Sequence, residues 1–345
     1  MFLHLKISVS LLFILLCLIS CGKQCSSIET ILSNPVHFVE THPLHAATTT
    51  IDKIGKIPDT VLNQIIEWDN DSTYFAYIPD SVELALIADM ISLLPPLNFK
   101  AMEERLAGIY FVENFRSNGM MDFARDSSGL LHFYLVFNPE LLKNSVSEVL
   151  NNRLLSCFVE DSSGVEIEIM ASDSVLGFFA TLLHETTHAA DLVYQISPYL
   201  FPVFPDITIS NDTDFTFARL YWKEYSVPKK EYDFRGRDSI TAYGFDGGPK
   251  IPIGDSKKLV SGFSQTPFAS LYGSVNWAED LAEMVTWYHL TSVLNTEYKI
   301  VVRERGEVVL EYRPMDSEKV RKRVPLIERF YNKKQQLPPA VKFGI

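Results

Sequence analysis

Five consecutive residues carry the first chemical signal: His184-Glu185-Thr186-Thr187-His188. The pattern is H-E-x-x-H. On a helix, positions i and i+4 share a face, so both imidazoles can meet one cation. The Glu between them then lies beside that cation, where its carboxylate can take a proton from bound water. Two imidazoles do not complete such a centre. A catalytic zinc takes three protein ligands and keeps a fourth position for water. The stretch after His188 reads Ala-Ala-Asp-Leu-Val-Tyr, without the Gly and third His of the extended motif. A third ligand must come from farther along. The best stretch is Tyr272 to Glu283, where Glu279 and Glu283 lie one helical turn apart, so that one can ligate while the other supports.

Both stretches need helices to present them. Ser172 or Asp173 can cap the first. Val175, Leu176, Phe179, Ala180 and Leu183 then recur at helical spacing, and the helix is expected to run to about Tyr194, before Pro198. The second is expected from Trp277 to about Leu294, capped by Asn276, with Leu281, Met284, Val285 and Tyr288 on its apolar face. Upstream, Pro58-Asp59 and Asp80-Ser81 open two further helices, the latter stopped by Pro95-Pro96. A segment from Phe99 turns to strand near Ile109–Val112. Leu130–Phe137 reads as a strand beside it. Val165–Ile169 alternates strictly, a half-exposed strand where an extended peptide could pair by β-augmentation. Tyr298–Arg313 is a hairpin around Arg305-Gly306, and a basic helix starts at Asp316. Residues 197–270 are irregular and rich in Pro, Gly and aromatics. Two readings of that insertion stand side by side: a cleft lining, including Phe201, Phe204, Phe215, Tyr221, Trp222, Tyr225 and Phe234, or a small satellite core. His132 and His289 read as structural.

The paired stretches resemble the catalytic domain of anthrax lethal factor and its gluzincin relatives. In that pattern the second His of the motif is followed at +3 by Asp. A Tyr-Gly lies downstream, a ligand Glu comes seven residues after the Tyr, and a second Glu follows as E-x-x-A-E. Here these are Asp191, Tyr272-Gly273, Glu279 and Glu283. The resemblance spans about 172–294 and leaves 22–100 and the insertion without a counterpart. It implies an α+β, zincin-like metallopeptidase domain with an HExxH helix, a second ligand-bearing helix and a small β-sheet. It also implies one Zn2+ held by His184, His188 and Glu279, with Glu185 as general base. Tyr272 would donate a hydrogen bond to the developing oxyanion, and Asp191 and Glu283 would orient the ligand imidazoles. The implied substrate is a protein or peptide.

The bulk composition agrees with a folded domain: 345 residues, 47% hydrophobic and 21% charged. A net charge of -12 argues against a nucleic-acid partner, which needs a clustered positive surface. The chain from Lys299 onward is locally basic and reads as a solvated surface. Lys6 precedes an apolar run, Ile7–Ile19, too short to span a membrane comfortably. It ends in Leu18-Ile19-Ser20-Cys21, which resembles a bacterial lipobox. That implies a signal peptide over 1–20, lipidation of Cys21, and an extracytoplasmic location in a bacterial envelope. Gly22, where Asp is absent, is compatible with the outer membrane. A Ser/Thr-rich tether is expected over 21–50, carrying His37, His42 and His45, which lack the helical spacing or acidic neighbours of a metal site. The zincin-like domain is expected over 51–345: a helical part 51–105 and a catalytic part 106–345 that contains the insertion. Cys25 and Cys157 could bridge but make no disulfide framework. Two competitors to a zinc endopeptidase follow. One is a surface lipoprotein with a zincin fold that binds a partner without turnover. The other is a chance H-E-x-x-H in an unrelated α+β domain.

Overall fold

The computed structural model describes residues 31–198 and 216–332. It is a mixed α+β structure whose contacts divide it into two units. The first comprises 31–143, 181–198 and 329–332; the second comprises 144–180 and 216–328.

The first unit is built on a five-stranded sheet: β1 (Ile54–Gly55), β2 (Phe75–Tyr77), β3 (Leu106–Glu113), β4 (Gly119–Arg125) and β5 (Leu131–Phe137). The order is β1-β3-β5-β4, and β2 also pairs with β3. Strands β3 and β5 are parallel, with Ile109 opposite Leu135, while β4 runs antiparallel to β5. Both expected strands are therefore neighbours. Leu106 to Val112 are buried on both faces of β3, which is why the run reads as continuously apolar rather than alternating. Strand β4 carries no clear signal, because Met-Met-Asp-Phe-Ala is buried on both faces as well. Helices α1 (Asp59–Asp69), α2 (Ser81–Ser92) and α3 (Pro96–Arg105) precede the sheet core. A capping box between Asp80 and Glu83 opens α2. Pro96 does not only stop α2: it occupies the first turn of α3, where its missing N–H has no partner to lose.

The expected tether is corrected from residue 31 onward. Short 3-10 turns at Pro35–His37, Val39–Thr41 and Pro43–Ala46 pack on the unit, burying Val36 and Val39. The two buried histidines do the fastening. His37 Nδ1 lies 2.7 Å from the Ile31 carbonyl. His42 Nε2 lies 2.9 Å from the Val36 carbonyl, Nδ1 lies 3.2 Å from the Tyr110 hydroxyl, and the ring stacks on Tyr134 at 4.4 Å.

The second unit holds α4 (Val146–Leu155), β6 (Phe158–Val159), β7 (Val165–Met170) and the start of α5 (Gly177–Tyr194), which continues into the first unit. Then come α6 (Thr216–Tyr221), β8 (Trp222–Glu224), β9 (Val227–Pro228), β10 (Ile251–Pro252), α7 (Ser256–Phe263), α8 (Trp277–Tyr288), β11 (Lys299–Glu304), β12 (Glu307–Tyr312) and α9 (Glu318–Arg321). The hairpin β11–β12 turns at Arg305 and Gly306, both at positive φ, and β7 adds to its other side. The free edge of β7 is occupied at its C-terminal end by α4 side chains. The Asn151 side chain bonds both the N–H and the carbonyl of Ile169 (2.7 and 2.8 Å), and Ser147 Oγ accepts from Ala171 N. Of the insertion, the described aromatics form a satellite core, with Trp222 on Phe268 (5.2 Å) and Phe234 on Phe263 (6.1 Å). Phe201, Phe204 and Phe215 lie outside the described residues. The expected C-terminal helix is short: α9 spans four residues, and a 3-10 stretch, Val324–Phe330, follows.

Candidate metal centre

Helix α5 starts at Gly177, later than Ser172 or Asp173 would have it. Residues 175–177 are drawn into extended pairing instead: Val146 N donates to the Val175 carbonyl (2.8 Å) and Gly177 N to the Asn144 carbonyl (2.9 Å). The contact with α4 is so close that a Cβ on Gly177 would lie 2.3 Å from Val149 Cγ2. From there the apolar stripe is buried, including Phe178, Phe179, Leu182 and Leu183.

His184, Glu185 and His188 are all buried on α5. The Nε2 atoms of the two histidines approach to 3.1 Å, with rings nearly perpendicular at 82°. The two threonines between them are also fixed. Thr186 Oγ1 donates to the Leu182 carbonyl (2.6 Å), and Thr187 Oγ1 to the Leu183 carbonyl (2.7 Å). Asn98, wholly buried on α3, donates Nδ2 to both hydroxyls (2.9 and 3.0 Å). The motif's variable positions thus anchor the helix that its histidines decorate. Asn98 carries no sequence signal, because a lone Asn in a helix shows no partner until the chain folds.

Asp191 lies one turn beyond His188. Its carboxylate accepts from Ser197 N (2.6 Å) and Ser197 Oγ (2.5 Å). Burial pushes it up to about 6, while those bonds and the nearby His188 pull the other way. These bonds close the end of α5 onto Ser197.

Helix α8 begins as expected: Asn276 Oδ1 accepts from Ala278 N and Glu279 N, both at 2.9 Å. It ends earlier than expected, at Tyr288, and a π turn over His289–Val293 follows. Glu279, Asp280 and Glu283 are all buried. Glu283 is gripped by Arg153 of α4 through both guanidinium nitrogens (3.0 and 3.2 Å) and accepts from Trp287 Nε1 (3.0 Å). The Arg153 guanidinium also lies 4.4 Å from the Tyr272 ring centre, so one side chain links Glu283 to the phenol. Tyr272 is half-buried in a 3-10 turn and borders a largely apolar pocket, with Cys157, Trp287 and Tyr298 on its wall. Cys157 is a free, buried thiol, pushed up to about 11 by burial. His289 is buried and lies edge-on to Phe179, and His132 lies 3.5 Å from Asp126, the structural settings expected of both. Cys21 and Cys25 lie outside the described residues.

Among the described residues, His184, His188 and Glu279 form one buried group whose ligand atoms all lie within 4.8 Å of one another, and it could hold a metal ion. Two donors of this set can be tested against a cation. Two nitrogens on a tetrahedral zinc, each at about 2.0–2.1 Å, are separated by about 3.3 Å. The observed 3.1 Å is close to that value. Two neutral imidazoles and one carboxylate also make a donor set suited to zinc with one open position. No protein-family model matches the chain, and neither a curated protein nor a solved structure matches it.

Proposed function

We propose that this chain is a zinc-dependent metallopeptidase of the gluzincin type, with a zincin-like fold, held at a bacterial envelope by a lipid on Cys21. The observation that carries the reading is the buried convergence of His184, His188 and Glu279. These three residues hold the ion. Bound zinc supplies a Lewis acid that polarises a peptide carbonyl and acidifies water. Glu185, one residue from His184 and equally buried, takes the proton from the attacking water and returns it to the leaving amine. Tyr272 donates its phenolic proton in a hydrogen bond to the oxygen where negative charge develops, with its ring steadied by Arg153. Burial of the Glu185 carboxylate keeps bulk water from competing for its proton.

The experiment is metal analysis of the purified chain together with cleavage of an unfolded protein. About one zinc per chain is expected. Glu185→Gln should keep the metal and lose about 10²–10⁴-fold in kcat/KM, the range of general-base catalysis. Unchanged activity in Glu185→Gln sinks the assignment. Tight capture of a partner with no turnover under any metal condition would instead favour a binding module.

A further inference from the structure

Asp280 follows Glu279 directly on α8, and both are wholly buried. So is Arg323, the partner of Asp280. Arg323 holds it with both arms: Nη1 to Oδ1 at 2.8 Å and Nη2 to Oδ2 at 2.6 Å. Trp222 Nε1 donates to Oδ2 as well (2.8 Å). The guanidinium is itself caged. Its Nη1 donates to the Pro267 carbonyl (2.9 Å), and its plane lies against Tyr221 (4.2 Å) and Phe217 (4.6 Å). The basic C-terminal stretch, which reads as solvated surface, thus sends one arginine into the core.

Stability alone is a weak reason for such a pair. Two charges taken out of water lose hydration that their attraction often fails to recover, and apolar replacements of like volume are frequently neutral. What the pair does supply is direction. Successive residues on an α-helix leave the axis about 100° apart. With Asp280 locked into a bidentate fork, α8 cannot roll about its axis without breaking two charge-assisted hydrogen bonds. The roll fixed at Asp280 is the roll that aims Glu279. Arg153 pins the same helix one turn further on, at Glu283.

We propose that Asp280 and Arg323 form a positioning pair that sets the aim of the Glu279 carboxylate and thereby the zinc affinity of the His184–His188–Glu279 group. The inference rests on the zinc reading given above. Loss of groups that orient a metal ligand costs about 10–100-fold in metal affinity, and that is the effect expected here.

The test is zinc affinity of the full chain by chelator competition, with folding followed by circular dichroism and zinc ligation by X-ray absorption. Arg323→Lys keeps the charge but not the fork, and should weaken zinc binding about tenfold. The double variant Asp280→Leu/Arg323→Met keeps the volume apolar and folded. It should still bind zinc 10–100-fold more weakly and lose carboxylate oxygen from the zinc shell. Val320→Ala, in α9 three residues before Arg323, should lower the melting temperature and leave zinc affinity unchanged. A folded double variant with parental zinc affinity overturns the proposal, as does a Val320→Ala variant that loses as much affinity as Arg323→Lys. A parent chain that takes up no zinc overturns the zinc reading itself, and that result appears in the parent measurement alone.

Discussion

Arg153 shows what a single residue contributes to this centre. It satisfies a carboxylate that is 2% exposed while its own side chain is 11% exposed, so both charges have left most of their water behind. Removing one partner of such a pair leaves the other uncompensated, which costs about 3–5 kcal/mol, whereas removing both together can be close to neutral. Arg153→Met is therefore expected to lower unfolding stability by about 3–5 kcal/mol in urea titration, and Arg153→Met/Glu283→Leu to recover most of it. A single variant as stable as the parent would remove the pair from the account. Arg153 gives no hint of this role in sequence, since one Arg near a helix end normally sits in solvent. His184, Glu185 and His188, by contrast, are legible as candidates because their pattern depends on spacing within one helix.

At the scale of elements, α5 and α8 matter because each presents its chemistry from a fixed start. The start of α8 is local: Asn276 caps it whatever else the chain does. The start of α5 is set by contact. Extended pairing at 175–177 and the closeness of Gly177 to Val149 decide where the helix begins. Gly177→Ala should push α4 and α5 apart at that point, at about 1–3 kcal/mol, the usual cost of one added methyl in a packed contact. Pairing it with Val149→Ala makes room and should restore most of the loss, read from thermal unfolding of the two variants. No recovery would place the strain somewhere other than Val149. Strand β7 carries the same lesson: its alternation marks a half-exposed strand correctly, yet whether its edge is open depends on Asn151, fourteen positions before its first residue, Val165.

At the scale of the molecule, the pH response is set by buried groups pulling in opposite directions. Burial lowers His42 from 6.5 to about 4. The unfolded chain therefore takes this proton first. The stabilising effect is fully present above about 6.5, falls as pH drops toward 4, and is gone below it, an amount of about 3 kcal/mol. Asp191, raised to about 6, acts in the other sense, since its protonation favours the folded chain as pH falls. The His42 contribution is isolated by difference. In His42→Gln, the drop in urea midpoint between pH 7 and pH 4.5 should shrink relative to the parent. Equal drops in both chains would show that His42 does not titrate as its burial requires.

By itself the sequence determined the helices that carry the candidate ligands, the cap at Asn276, most of the strands, the His184–His188 pair, and Glu279 and Glu283 as candidates for a third donor. These follow from periodicity and short-range hydrogen bonding, which act over a few residues. It left open what the 31–50 stretch does, the existence of β4, the packing of the described insertion aromatics and the hydrogen-bond partners of Asp191 and Glu283. Only the tertiary structure decided those, and it alone revealed Asn98, Arg153 and Arg323. The physical reason is common to all of them. A buried polar group must find a partner, and here the partner lies 43 positions away for Asp280, 88 for Thr186 and 130 for Glu283, beyond the reach of any local pattern.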